Sequence, residues 1–248
     1  MVEDLAELLF EFASADRLKI ISEIETEPMK LSEVARKLSI TATEASRQLG
    51  RLTDARLIEK NPEGAYRLTS FGRTTLSLVP SFDFMYEERN YLLSHDMASL
   101  PPGYLQRIGE LAQRNRIDGI DDLIGYEVRV VEEAEEYLWY MVDQLFGHSV
   151  RRDWSEFSGK VLLRTLIPKS LSPDAFGPLR TKIGDRFEVG VVDEVKVALV
   201  MNEKLAAVAF PTLDGRIDYG RGFTGDSPRF HKWCFDLYTS YWNNSRKR

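Results

Sequence analysis

The amino-acid sequence predicts an α+β protein with two parts. Apolar residues near the N-terminus recur at the three- and four-residue spacing of amphipathic helices, whereas short runs rich in Val, Leu and Phe follow one another in the C-terminal part. The length of 248 residues also favours more than one domain, because domains commonly run to about 100–200 residues. We therefore expect a helical N-terminal domain and a C-terminal α/β domain.

The composition indicates an ordinary folded protein. Its hydrophobic content of 43% is sufficient for a core, and its single cysteine, Cys234, excludes an internal disulfide and any zinc site built on several thiolates. The N-terminus is acidic, and no apolar run approaches the roughly 18 residues of a membrane-spanning helix. We expect a soluble, cytoplasmic protein that has no membrane partner.

Charge is unevenly distributed along this acidic chain, whose formal net charge is -6. Residues 36–73 carry 8 basic against 4 acidic side chains, while residues 1–35 carry 3 against 9 and residues 74–160 carry 8 against 16. A local basic segment in an acidic protein is typical of a surface that binds a polyanion.

Four helices are predicted before residue 56. The segments "VEDLAELLFEF" and "ADRLKIISEI" have apolar residues at helical spacing, and Ser14 is the expected N-cap of the second. Ser32 is expected to cap a short third helix, and Thr41 to cap a fourth after the turn "SIT". The apolar stripe of the fourth helix consists of Ala42, Ala45, Leu49 and Leu52.

A β-hairpin is predicted directly after the fourth helix. Residues Leu57 to Lys60 and Tyr66 to Thr69 form its strands around the turn Asn-Pro-Glu-Gly, and Ser70 is expected to cap a helix that runs to Leu78. The order of helices, helix-turn-helix and hairpin predicts a winged helix-turn-helix over residues 1–80 with double-stranded DNA as its partner.

Candidate DNA contacts follow from this geometry, because the second helix of a helix-turn-helix enters the major groove. We expect Thr43, Ser46 and Arg47 to reach base edges, with Arg47 as the principal reader and Gln48 at the flank of the helix. Phosphate contacts are expected from Arg36, Lys37, Arg51, Lys60 and Arg67. A winged helix retained as a protein-interaction module is the alternative.

The remaining chain is divided into a helical middle region, residues 81–150, and an α/β regulatory domain, residues 151–248. The segment "GYEVRVVEEAEEYLWYMVDQLF" is expected to start as a strand and to become a helix from about Glu132. Four strands are expected in "KVLLRTLIPK", "RFEVGVV", "EVKVALVMNE" and "LAAVAFPT", and a helix in "SPRFHKWCFDLYTSYWNN".

Two stretches carry a resemblance to known regulators. The run "LSEVARKLSITATEASRQLGRLTDARLIEK" with "YRLTSFG" resembles small archaeal and bacterial winged-helix regulators related to the arsenic-repressor family. The order of "ERNYLLSHD", "LP", "YLQRIGEL" and the closing "HKWCFDLYTSYWN" resembles archaeal regulators of the methanogenesis-regulator type. This resemblance implies an archaeal transcription regulator with a C-terminal regulatory domain, similar to the phospholipase-D-like effector domains of archaeal sugar regulators.

No catalytic, cofactor or metal site is predicted. None of the three histidines begins the His-x-Lys-x-x-x-x-Asp motif of phospholipase D, and the glycine-rich "GRGFTG" fits a loop and no nucleotide-binding motif. No Cys lies near the recognition helix, and the three histidines lie far apart in sequence. A diverged phospholipase-D-like enzyme and a purely structural module remain the alternatives for this half.

An effector site and a dimer complete the sequence-based expectations. A small organic anion would suit a pocket with a cationic rim and an aromatic wall. Its candidate residues are Arg164, Lys169, Arg216, Arg221, His231 and Trp233. A homodimer is expected because the apolar faces of "LAELLFEF" and "FGRTTLSLV" exceed what one small winged helix can bury.

Overall fold

A computed structural model describes residues 2–145 and 161–247. The chain divides into two units, Met1–Val79 and Pro80–Arg248. The division lies one residue from the domain boundary expected after residue 80.

The first unit contains the four expected helices, which are α1 Val2–Phe12, α2 Ala15–Thr26, α3 Leu31–Leu38 and α4 Ala42–Asp54. Two of the expected N-caps are confirmed. The Ser14 side chain accepts a hydrogen bond from the backbone N–H of Arg17, and Thr41 accepts one from Glu44 at 3.1 Å. Fully buried aliphatic side chains from α2, α3 and α4 form the core of the unit, including Ile20, Ile21, Val34, Leu49 and Leu52.

A short hairpin follows α4. Strands β1 Ile58–Lys60 and β2 Tyr66–Leu68 pair antiparallel, and helix α5 Ser70–Leu76 comes next. Gly64 lies in the hairpin loop with a φ of 83°, a conformation that residues with a side chain rarely adopt. The unit therefore has the order of four helices and a following hairpin that the sequence predicts.

Two predicted caps are wrong by one or two residues. The N-cap of α3 is Lys30, not Ser32, and its backbone N–H donates to the Glu33 carboxylate at 2.6 Å. Helix α5 is capped by Thr69, not Ser70, and it ends at Leu76. In both cases a capping side chain near the expected position satisfies the exposed backbone groups.

The second unit has a mixed sheet of eight strands within the described residues. Its strands are β3 Asn115–Asp118, β4 Tyr137–Met141, β5 Leu162–Pro168, β6 Phe187–Val192, β7 Ala198–Met201, β8 Ala206–Ala209, β9 Arg221–Gly225 and β10 Arg246–Lys247. Their order in the sheet is β10-β6-β5-β4-β7-β8-β9-β3. The central strands β4, β5 and β6 are parallel, and the other pairs are antiparallel.

Helices cover both faces of this sheet. They are α6 Val79–Glu87, α7 Arg89–Leu92, α8 Pro102–Gln106, α9 Ile120–Glu132, α10 Gly177–Ile183 and α11 Pro228–Asn243. On one face α11 buries Trp233, Leu237 and Tyr238, and on the other α9 and α10 bury side chains such as Val130 and Ile183. The predicted strand regions 160–169, 186–192, 194–203 and 205–212 each contain one of the observed strands.

The segment 125–145 has the reverse of the predicted order. Helix α9 ends at Glu132, where a helix was expected to begin, and "YLWYM" forms the central strand β4. A strand covered on both faces has no alternation of polar and apolar residues, so its apolar residues also matched a helical spacing. Asp121 and Asp122 lie in the first turn of α9, where acidic residues favour a helix N-terminus. The sequence interpretation gave more weight to the apolar run "VRVV" and so missed this helix.

Two further predictions about the second unit are wrong. The segment "GRGFTG" is not a loop, because Arg221–Gly225 is strand β9. A Cβ at Gly222 would collide with the backbone of β8, and one at Gly225 with the Phe230 ring, so these glycines serve close packing. Residues 81–150 are not a separate helical region, since they supply β3 and β4 to the common sheet. The likeness to phospholipase-D-like domains stays a prediction.

In the part of the chain that the structure describes, no helix has both the length and the apolar character needed to cross a membrane.

Two glycines of the first unit give a test of this packing. Gly50 in α4 is exposed and has open space at its Cβ position, so Gly50→Ala should stabilise the unit by up to about 1 kcal/mol. Gly72→Ala should destabilise it by about 1–3 kcal/mol, since the new Cβ would collide with the Leu57 carbonyl. Amide hydrogen exchange in α4 measures both changes, and faster exchange in the Gly50 variant would contradict the packing.

Candidate nucleic-acid interface

Helix α4 divides into a buried and an exposed face. Ala45, Leu49 and Leu52 are fully buried against the core of the unit. Thr43, Ser46 and Arg47 are exposed, and so is Ala42, which was expected on the inner stripe. The exposed face therefore carries a cationic side chain beside small hydroxyl groups, which are side chains that can hydrogen-bond to base edges or phosphates.

Arg47 forms an ion pair on its own helix. Its guanidinium contacts the Glu44 carboxylate through two nitrogens, Nε to Oε2 at 3.2 Å and Nη2 to Oε1 at 2.8 Å. Hydrogen bonds from Arg47 and Gln48 hold the pKa of Glu44 below its usual value. The best candidate for base readout is thus paired with a carboxylate on the same helix.

Gln48 lies in the interior, although the sequence analysis expected it at the flank of the recognition helix as a candidate DNA contact. Only 4% of the residue is exposed. Its Nε2 donates to Glu44 Oε1 at 2.5 Å, and its Oε1 accepts from Arg17 Nη1 at 3.2 Å. Because both ends of its amide are bonded inside the unit, we remove Gln48 from the candidate DNA contacts.

Arg51 connects α4 to α1. Its Nη2 contacts Glu11 Oε1 at 2.6 Å, and its guanidinium lies 5.1 Å from the centre of the Phe10 ring. The same Glu11 carboxylate contacts the buried Arg17 at 2.9 Å. Hydrogen bonding to Glu11 raises the pKa of Arg51. Arg51 is half-exposed and already paired with Glu11, so a contact between Arg51 and a phosphate would have to break or share this ion pair.

The other cationic candidates lie on α3 and the β1–β2 hairpin. Lys37 pairs with Glu23 at 2.6 Å, and Arg67 pairs with Glu59 at 2.7 Å across the hairpin. Arg36 and Lys60 are exposed. Among the side chains that the structure describes, no carboxylate lies within ion-pair distance of these last two, which makes them the most available cations of the set.

Three residues of this region were missed by the sequence interpretation. Glu11, Arg17 and Glu44 link α1, α2 and α4 through side-chain bonds. Arg17 is 6% exposed, and it also donates to the backbone carbonyls of Glu11 and Phe10 at 2.9 and 2.6 Å. A buried arginine on a helix with a regular apolar stripe has no distinguishing sequence pattern, so only the structure reveals it.

The six candidate effector residues do not form one pocket. Trp233 is fully buried in the core, and Arg164 pairs with Glu188 at 2.6 Å between the rings of Trp139 and Trp242. The other four are distributed over different elements. Lys169 contacts Asp193, Arg216 contacts Asp214, His231 Nε2 lies 2.7 Å from the carbonyl of Asn202, and Arg221 is exposed at the start of β9.

The second unit instead contains an apolar cavity of about 110 Å³ between the sheet, α9 and the segment that contains α10. Small side chains at Ala198 and Ala207 leave its floor open, and Leu179 and Phe176 contribute to its wall. Glu127 is the acidic residue of the lining, and its carboxylate accepts a hydrogen bond from the Tyr140 hydroxyl at 3.2 Å. None of the six candidate effector residues lines this cavity.

The sequence is similar to known regulators. Residues 5–89 match the family model described as HVO_A0261 N-terminal domain. The methanogenesis regulatory protein FilR1 of Methanothrix harundinacea (strain 6Ac) is 22% identical over 267 aligned positions, which cover 98% of this chain. The chain spans 58% of the length of that relative.

Solved structures give more distant likenesses. TrmBL2, described as an archaeal chromatin protein with a novel mode of DNA binding, is 14% identical with a TM-score of 0.43 over 89% of this chain and 88% of the other. An O-methyltransferase family protein from Burkholderia thailandensis is 15% identical with a TM-score of 0.28 over 78% and 64% of the two chains. The match to FilR1 and to the N-terminal family model confirms the resemblance to archaeal transcription regulators that the sequence predicts.

Proposed function

We propose that the chain is a sequence-specific DNA-binding transcription regulator with no catalytic activity, which acts as a homodimer. One observation carries the proposal: α4 exposes Thr43, Ser46 and Arg47 above a fully buried apolar stripe and is followed directly by a hairpin. A helix with this division can enter the major groove while its other face stays packed. The similarity to a methanogenesis regulatory protein supports the same function.

The cationic residues divide into two roles under this proposal. Arg47 lies near the first turns of α4, where side chains reach base edges, and a bidentate arginine distinguishes guanine from other bases. Arg36 and Lys60 lie on α3 and the wing, where they would contact phosphates. Phosphate contacts position the protein on any sequence, whereas base contacts select one.

A test of these two roles needs a specific DNA duplex, which is obtained by selecting the duplexes that the full chain binds from a pool of random sequence. Arg47→Ala should weaken binding to the selected duplex by about 1–3 kcal/mol and weaken binding to random duplexes much less. Lys60→Ala should weaken both duplexes alike and lower the slope of log affinity against log salt by about one unit. Fluorescence anisotropy at several salt concentrations measures these effects.

Lys232→Ala, which removes an exposed cation from α11 of the second unit, is the matched control and should change neither duplex. Equal losses on both duplexes for the Arg47 variant would refute its reading role. Failure of the wild-type chain to select any duplex would refute DNA recognition and favour a protein-interaction module.

The exposed apolar residues of the first unit support a homodimer. On α1, Leu8 and Phe12 pack against the core, while Leu5, Leu9 and Phe10 are 54%, 48% and 57% exposed. The segment "FGRTTLSLV", which the sequence analysis also assigned to the dimer interface, exposes Phe71 at 48% and Leu78 at 53%. A second copy is the occupant we propose, because each chain offers one recognition helix and a dimer would read two half-sites about 10 base pairs apart.

The dimer proposal predicts that Leu9→Glu makes the chain monomeric, since a charge in an apolar interface loses its hydration. Sedimentation velocity at micromolar concentration measures the state. Leu213→Glu, at a 70% exposed turn residue of the second unit, is the control and should leave the dimer intact. A wild-type chain that sediments as a monomer would contradict the proposal.

We further propose that a small-molecule effector modulates DNA affinity from the apolar cavity of the second unit. Apolar walls with a few polar groups are typical of ligand sites. The lining is almost entirely apolar and would leave a carboxylate without hydration, so this cavity suits a largely apolar, uncharged molecule better than the organic anion that the sequence suggested. Such a ligand would act by preferring the DNA-competent or the DNA-incompetent state.

Two probes of similar shape test the cavity. We expect millimolar 2-phenylethanol to raise the melting temperature of the full chain more than phenylacetate does, because only the second brings a negative charge. Ala175→Trp, at a lining position, should abolish this shift, and Ala98→Trp, exposed outside the cavity, should keep it. Stabilisation by phenylacetate alone, or an unchanged shift in the Ala175 variant, would contradict the site.

A further inference from the structure

The principal candidate for base readout is held by a carboxylate that is itself fixed in place. Glu44 contacts two nitrogens of Arg47 and also accepts from Gln48. An ordinary exposed pair of this kind is mobile and contributes little to stability. Here the second partner, Gln48, is buried, so one oxygen of the carboxylate is bonded to the interior of the unit.

The chain of contacts continues inward from Gln48. Its carbonyl oxygen accepts from Arg17, which is buried and is fixed by the Glu11 carboxylate and by the backbone carbonyls at the end of α1. Each link determines the rotamer of the next one. The position of Glu44 on the exposed face of α4 is therefore set by the interior, and binding at the surface does not need to order it.

Such a carboxylate has opposite effects on two kinds of DNA contact. For a phosphate contact, Arg47 must leave Glu44, and the bare carboxylate then lies close to the negatively charged backbone. For a base contact in the major groove, a glutamate accepts a hydrogen bond from the amino group of cytosine, while a neighbouring arginine donates to guanine. Only the base contact provides hydrogen-bond partners for both Arg47 and Glu44.

We propose that Glu44, held by Gln48, is a specificity-determining residue of the recognition helix, which disfavours phosphate-only binding and reads a cytosine amino group. This inference rests on the proposed DNA-binding function. It also gives Gln48 a positioning role in place of the base contact that the sequence suggested.

Glu44→Gln in the full chain is the test, because it removes the charge at nearly constant shape. We expect it to strengthen binding to random duplexes several-fold, to steepen their salt dependence, and to narrow the ratio of specific to random affinity about tenfold. When the selection is repeated with this variant, the recovered site should no longer show a preference for cytosine at one of its positions. Glu25→Gln, at an exposed position of α2, makes the same change in net charge away from α4 and should leave the ratio unchanged.

A second set of variants separates the proposed role from a merely structural one. If Glu44 opposes random binding partly by holding Arg47, then Glu44→Gln should strengthen binding to random duplexes less in an Arg47→Ala background, where only the repulsion between the carboxylate and the phosphates is removed. Gln48→Leu should reproduce part of the loss of specificity, because it frees the carboxylate without removing it. Since it also takes a hydrogen-bond partner from Arg17, its melting temperature is measured beside its DNA binding, and a loss of affinity equal on both duplexes would assign Gln48 to stability alone.

The outcomes of the two proposals are distinguishable. A wild-type chain that selects a duplex while Glu44→Gln keeps the same specificity ratio and the same recovered site would overturn this inference alone. Equal weakening of both duplexes by Glu44→Gln would also overturn it, since that result assigns Glu44 to the stability of α4. A wild-type chain that selects no duplex would overturn the proposed function as well.

Discussion

The bonding of the buried Arg17 guanidinium is the constraint on which the candidate DNA-binding surface depends. A charge taken out of water costs several kcal/mol unless it is paired and its donors are bonded. Arg17 meets that requirement through the Glu11 carboxylate, the carbonyls at the end of α1 and the side chain of Gln48. Because these partners belong to α1 and α4, the satisfaction of one buried charge fixes the two helices relative to each other.

This arrangement places the candidate surface for a second copy and the candidate surface for DNA on helices that share one network. The outer side of α1 carries Leu5 and Leu9, while its last turn carries Glu11, which also contacts Arg51 of α4. A displacement of α1 would therefore stretch bonds that position α4. The contacts that would couple the two candidate surfaces all lie within the first unit.

In the second unit, charge and aromatic rings serve the fold. Arg164 lies between the rings of Trp139 and Trp242, and Lys247 lies over the second ring near the C-terminus. These contacts hold α11 against the centre of the sheet. The residues that the sequence suggested for an anion site are thus engaged in packing and ion pairs, and the open volume lies on the other face, where alanines replace larger side chains.

The sequence predicted the helices and the hairpin of the first unit well because that unit is built from local signals. Caps at Ser14 and Thr41, apolar stripes and a turn with Gly64 each depend on residues close in the chain. The centre of the second unit was predicted less well, since β4 is a strand only because its neighbours in the sheet come from distant segments.

The candidate site shows the same limit. Exposure of Thr43, Ser46 and Arg47 followed from helical periodicity, but the burial of Gln48 did not. That burial depends on Arg17, which lies 31 residues earlier in the sequence. Polar side chains on a helix are normally expected at the surface, and no local pattern marks the exception.

Amide hydrogen exchange of the full chain, with and without a duplex that it selects, tests the central claim that this unit reads DNA through α4 and the wing. The account predicts slower exchange in Ala42–Asp54 and in residues 58–68 when the duplex is bound, with the network at Arg17 already protected in the free protein. Binding that leaves both segments unchanged and slows exchange only elsewhere in the chain would contradict it.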